Sequence, residues 1–213
     1  MKRPVFKEGH RILFIGDSIT DCGRNYPGSA PYGDGYVSIV RNFLTAGFPD
    51  LFLEFVNRGV GGDTILDLAV RWESDVINEA PDWLCVKIGI NDVWAQITSM
   101  SSLGVGLEEY ERVYRRLLDE TRQEVRLSGL ILMDPYVIEP NAEDPFRRAM
   151  APYLEVVAKL ADEFKAIRVE SQKAFDRVLV HRPSAFWADD RIHPEGPGHA
   201  VLALAFLEAV GAL

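Results

Sequence analysis

The sequence predicts an α/β fold: a three-layer α/β/α sandwich built on a five-stranded parallel sheet. Two features predict it. Short apolar runs alternate along the chain with longer amphipathic stretches, the pattern of parallel strands crossed by helices. Polar blocks follow the first three runs directly, where an open parallel sheet binds its ligands, beyond the carboxyl ends of the strands.

The strand candidates are residues 11–15, 53–57, 83–88, 129–134 and 166–170. Helices are expected to fill the gaps between them. The clearest are 108–127 and 145–164, where apolar residues recur at helical spacing, and 198–210, whose Ala-Leu-rich face follows Pro194. With 213 residues, 47% of them hydrophobic, the chain suffices for one sizeable core, and a single domain over 1–213 is expected.

A net charge of −9 without a basic cluster argues against nucleic acid or an anionic membrane as partner. Residues 1–10 hold no apolar stretch of signal-peptide length and no later run is long enough to span a bilayer, so a cytoplasmic location is expected. In such a chain Cys22 and Cys85 are expected to be free thiols.

The first polar block is Gly16-Asp17-Ser18-Ile19-Thr20, which would deliver Ser18 at the end of a buried strand. A serine hydroxyl is a weak nucleophile at neutral pH and needs a base, an orienter for the base, and donors for an oxyanion. Asp190 and His193, three residues apart, supply the first two if Asp190 fixes the tautomer of His193. Asp190 is favoured as orienter; Asp189, which would approach from a different face, competes for the role. Oxyanion donors are offered by Gly59-Val60-Gly61-Gly62-Asp63-Thr64 and Gly89-Ile90-Asn91-Asp92, together with the Ser18 N–H.

These blocks resemble those of the SGNH (GDSL-type) serine hydrolases, in that family's order and over nearly the whole chain. The resemblance implies the flavodoxin-like SGNH hydrolase fold, Ser18, Asp190 and His193 as catalytic residues, and Ser18, Gly62 and Asn91 as the oxyanion hole. The stretches Gly16 to Arg24, Gly33 to Val37, Arg71-Trp72-Glu73 and Gly89 to Trp94 are similar to the branch that contains intracellular acetylxylan esterases. That branch carries an aromatic residue just before the catalytic Asp, where this chain has Asp189 and sets Trp187 two residues earlier. The branch implies removal of acetyl groups from a small acetylated oligosaccharide, with no cofactor, and a homo-oligomer. Asp17, Tyr36, Trp94 and Trp187 are candidate substrate contacts, the three aromatics because flat rings near the blocks suit the C–H faces of a sugar.

Singly, each block has an ordinary structural explanation as a turn, a helix cap or a salt bridge; their conjunction favours chemistry. An α/β-hydrolase elbow would need a second glycine where Thr20 stands. A metallophosphoesterase would need a His-rich motif, which His10, His181, His193 and His199 do not form, so no metal is expected. A lysophospholipase or thioesterase would use the same triad with a longer acyl channel, and a non-catalytic carbohydrate-binding relative is the remaining alternative. The irregular stretch 96–106 could be a lid or a subunit contact.

Overall fold

The computed structural model describes residues 2–28, 30–98 and 104–213. Five strands, β1 (Arg11–Gly16), β2 (Glu54–Gly59), β3 (Trp83–Lys87), β4 (Gly129–Met133) and β5 (Ile167–Val169), form one sheet in the order β2-β1-β3-β4-β5. Every neighbouring pair is parallel. All five strands lie where the apolar runs predict them, with β2 extended to Gly59 and β5 shortened to three residues.

Nine helices accompany the sheet among the described residues: α1 (Ser18–Asp21), α2 (Tyr36–Gly47), α3 (Ile65–Trp72), α4 (Ile90–Ile97), α5 (Leu107–Glu124), α6 (Pro145–Phe164), α7 (Ser171–Leu179), α8 (Ser184–Trp187) and α9 (Gly196–Ala209). Helices α2 and α7 both pack on α9, and α3 and α6 both pack on α5. Both faces of the sheet are covered, so β1 and β3 are continuous buried runs, without the alternation of a half-exposed strand.

The ends of the helices follow local chemistry. Asp144 accepts hydrogen bonds from the Phe146 and Arg147 N–H groups, and Pro145 occupies the first turn of α6, where a missing N–H costs nothing. Thr64 and Asp67 close a reciprocal capping box at the start of α3. Helix α5 stops at Glu124, short of the predicted 127, because the chain leaves it to bond Ser128 N and Gly129 N to the Asp82 carbonyl. Helix α4 covers Gln96 and Ile97; residues 99–103 of the irregular stretch 96–106 lie outside the described residues. Among the described residues no helix is long and apolar enough to cross a membrane.

The chain passes from β1 to β2 on one side and then returns to place β3 on the other. The crevice beside β1 is therefore the topological switch point, the place where open α/β sheets bind ligands. In register, Gly16 faces both Gly59 and Lys87, so three strands end level. A methyl group on Gly16 would lie 2.2 Å from the Lys87 carbonyl oxygen and 2.6 Å from Thr20 Oγ1. Gly16→Ala is therefore expected to destabilise the fold by about 1–3 kcal/mol, as overpacking does. Urea unfolding checks this, and wild-type stability would mean that the strand end can shift.

Candidate active site

Ser18 is the first residue of α1, immediately beyond β1, and is half-buried. Asp17 caps the helix by accepting a hydrogen bond from Ile19 N at 2.9 Å. One turn later Cys22 closes it in the left-handed region (φ 40°), donating its N–H to the Ser18 carbonyl. The turn is anchored laterally: Asn57 Nδ2 donates to the Thr20 carbonyl at 2.7 Å, and Thr20 Oγ1 lies 3.0 Å from the Tyr36 hydroxyl. His199, on α9, accepts from Tyr36 N at Nδ1, so its neutral ring carries the proton on Nε2 and donates it to Cys22 Sγ, 3.3 Å away. Burial, with Lys87 and His193 nearby, pulls His199 down to about 4 and keeps it uncharged. Burial also pushes the Cys22 thiol up, which leaves it a poor nucleophile.

The Ser18 hydroxyl oxygen stands 2.9 Å from His193 Nε2, and His193 Nδ1 stands 2.6 Å from Asp190 Oδ2. The other Asp190 oxygen accepts from the Ile192 and His193 backbone N–H groups, each at 2.8 Å. Asp190, not Asp189, makes these contacts. Burial raises the Asp190 carboxyl, but the hydrogen bonds from His193 and Ile192 outweigh it and hold the group below the usual carboxylate range. A carboxylate so placed keeps the imidazole in the tautomer whose Nε2 can accept the Ser18 proton. The loop is fixed from behind. Ile138 N donates to the Arg191 carbonyl, the Tyr136 hydroxyl to the Ile192 carbonyl, and the Arg191 guanidinium to Glu139 and Asp144.

Beyond β2, the loop through Gly61 and Gly62 passes beside Ser18; a methyl group on Gly61 would lie 3.9 Å from Ser18 Cβ. Gly62 has φ +87°, a conformation L side chains rarely adopt. Asn91, in the first turn of α4, donates one Nδ2 hydrogen to the Asp63 carbonyl at 2.9 Å, and the amide has a second hydrogen to offer. The Ser18 N–H opens α1 and has no acceptor one turn back within that helix.

Arg71 ties these pieces together: it donates to Asp63 Oδ2 at 2.8 Å, to the Arg58 carbonyl at 2.7 Å, to Asp75 at 2.7 Å and to the Gly16 carbonyl at 3.2 Å. Asp92 holds the far end of the same loop by accepting from Ile65 N at 3.0 Å. Among the described residues no group of three or more His, Cys, Asp or Glu side chains is placed to hold a metal ion.

Two candidate substrate contacts require correction. Asp17 and Tyr36 are fully buried, the first engaged in capping α1 and the second in bonding Thr20, so neither meets a substrate. Trp94 and Trp187 are half-buried, packed against Phe146 and Phe186. Lys87, Arg71 and Asp92 support the site; the sequence motifs include Arg71 and Asp92 but give neither a role, and do not include Lys87. Lys87 had a signal, a charge at the end of an otherwise apolar strand; Arg71 sits on a helix and acts through partners distant in sequence. A cavity of about 420 Å³ opens at the opposite end of the sheet, among Leu118, Val125, Gly129 and Phe164, away from this site.

A parallel α/β fold that sets a hydroxyl, an imidazole and a carboxylate in hydrogen-bonded series at its strand ends defines a carboxylic ester hydrolase of the serine type. The chain belongs to the GDSL-like lipase/acylhydrolase family, whose model matches residues 14–201. It is 46% identical to an acetylxylan esterase of Geobacillus stearothermophilus over 95% of this chain and 94% of that protein. The crystal structure of Axe2, an acetylxylan esterase from the same organism, superposes with a TM-score of 0.92 at 45% identity, covering 99% of this chain and 97% of that one. LAE5, an α/β hydrolase enzyme from the metagenome of Lake Arreo, superposes at 0.93 with 43% identity, covering 98% of both chains.

Burial lifts the Asp92 carboxyl from 3.8 to about 7, against the lowering effect of its bond from Ile65 N. A carboxyl whose pKa is higher folded than unfolded makes the native state less stable as pH rises between the two values. Asp92→Asn keeps an acceptor for Ile65 and cannot ionise. Its stability relative to wild type is expected to rise from about pH 4 to about pH 7, as read by urea unfolding at intervals across that window. A difference that does not change with pH would show that Asp92 does not titrate there.

Proposed function

We propose that the protein is a serine esterase that removes acetyl groups from xylo-oligosaccharides through an acyl-enzyme intermediate. The observation that carries the proposal is the chain of contacts from Ser18 to His193 at 2.9 Å and from His193 to Asp190 at 2.6 Å. In this reading His193 Nε2 takes the Ser18 proton as Oγ attacks the ester carbonyl. The N–H groups of Ser18 and Gly62 and the Asn91 amide hold the oxyanion. His193 then protonates the departing sugar hydroxyl, takes a proton from water for the attack on the acetyl-enzyme, and returns it to Ser18.

The acetylated sugar as substrate rests on the likeness to acetylxylan esterases and on the openness of the site. The side chains of His193 and Asp190 are 55% and 51% exposed, which leaves room for a bulky alcohol. Trp94 and Trp187 are the rings we assign to sugar contact. The same likeness leads us to propose a cytoplasmic enzyme that works as a homo-oligomer on a small soluble substrate, without nucleic acid or membrane as partner.

Ser18→Ala and His193→Ala are expected to abolish release of acetate from acetylated xylobiose while leaving the circular dichroism spectrum unchanged; activity retained in either would overturn the mechanism. Asn91→Ala is expected to lower kcat about 10²–10³-fold with little change in KM, the usual cost of one oxyanion donor. With 4-nitrophenyl esters the rate is expected to collapse beyond short acyl chains. Preference for octanoate, with the sugar ester untouched, would keep the triad and move the substrate to lipids or thioesters.

A further inference from the structure

Lys87 ends β3 with its side chain wholly buried, and Asp17, which precedes Ser18, is wholly buried beside it. Their charged atoms, Nζ and Oδ2, are 3.8 Å apart, beyond hydrogen-bond length, and neither has a hydrogen-bond partner elsewhere among the described residues. The ammonium also stands 4.8 Å above the ring of Tyr136. That tyrosine donates its hydroxyl to the carbonyl of Ile192, the residue before His193. One buried cation thus faces the residue before the nucleophile on one side and, through Tyr136, the peptide before the base on the other.

A buried ion pair is seldom the most stable filling for a core, since apolar residues of similar volume usually do as well or better. The cost of desolvating Lys87 needs a return outside stability, and its surroundings supply one. Asp17 Oδ1 orients α1 through Ile19 N, while Oδ2 is directed at the cation. The Lys87 carbonyl lies against Gly16, so the same residue limits how far the strand end can move. Attraction to a single fixed charge therefore acts on both segments whose spacing sets the bond between Ser18 and His193. Other ionisable groups near the pair are Cys85 on the same strand and His199 on α9, both near Lys87, and Tyr36, Asp63 and Asp92, near Asp17.

We infer that Lys87 and Asp17 are positioning residues, a buried ion pair that fixes the separation of Ser18 and His193 from beneath the site. The inference rests on the serine esterase reading. Lys87→Met leaves the Asp17 carboxylate buried without its cation and is expected to lower both stability and kcat. The double variant Asp17→Asn/Lys87→Met buries no charge and keeps an acceptor for Ile19 N. It is expected to regain wild-type resistance to urea yet to retain a kcat lower by about 10-fold to 10²-fold, in the range that small misplacements of reacting groups cost. KM is expected to stay near the wild-type value, and labelling of Ser18 by a phosphonate should slow in proportion to kcat.

A purely structural role would restore kcat together with stability in the double variant. That outcome, or a double variant that fails to fold, overturns the inference. Ser18→Ala, assayed alongside, separates the two levels. If it is inactive while the double variant keeps wild-type kcat, only the positioning role fails; if it is active, the esterase reading fails and the inference with it.

Discussion

The register of the parallel sheet is the constraint on which the site depends. Gly16 pairs level with Gly59 on one side and with Lys87 on the other, so the loops after β1, β2 and β3 leave the sheet at one height. Ser18, Gly62 and Asn91 are far apart in sequence and meet only because of that alignment. A slip of one residue in β1 would turn Ser18 to the opposite face and lift Gly16 out of the one place where a backbone without Cβ fits against Lys87. The fourth and fifth members, Asp190 and His193, come from the far end of the chain, held by backbone and hydroxyl bonds to the segment that follows β4.

Around this rim the polar interior is organised by a few charged side chains, each serving several backbone groups. Arg71 reaches the carbonyls at the ends of β1 and β2 and the Asp63 carboxylate; the Asp63 carbonyl in turn accepts from Asn91. A guanidinium suits this task because its donors are fixed in one plane and diverge toward separate acceptors. The loop through Gly62 and Asp63 is therefore connected both to the end of β1, which leads to Ser18, and to α4, which carries Asn91. Such networks favour one arrangement of the loop strongly, because any partner lost would leave a buried polar group unpaired.

How much of this was legible in the sequence depended on how local the cause was. The strands were legible because each is a continuous apolar run, and α6 was legible to the residue because Asp144-Pro145 caps it and the periodicity continues unbroken to Phe164. The contact of Asp190 with His193 was legible from the Asp-x-x-His spacing, since a turn of that length brings the two together with no help from the rest of the fold. Asp17 and Tyr36 were misjudged for the opposite reason. Nearness in sequence to Ser18 suggested contact with substrate, but Asp17, at the turn from β1 into α1, and Tyr36, at the start of α2, both point inward. The roles of Lys87 and Arg71 depend on which carbonyls and carboxylates the fold brings around them, information that no local pattern holds.

The two histidines near Ser18, His193 and His199, sit in opposite surroundings. His199 is buried, accepts from a backbone N–H, faces a thiol, and lies close enough to Lys87 to be held uncharged; protonating it would break the bond from Tyr36 N and bury a second cation beside the first. His193 is open to solvent on one side and has a carboxylate at its back. A general base must be able to gain and lose its proton at little cost within each turnover. In the reading we propose that base is His193, the ring that meets the Ser18 hydroxyl.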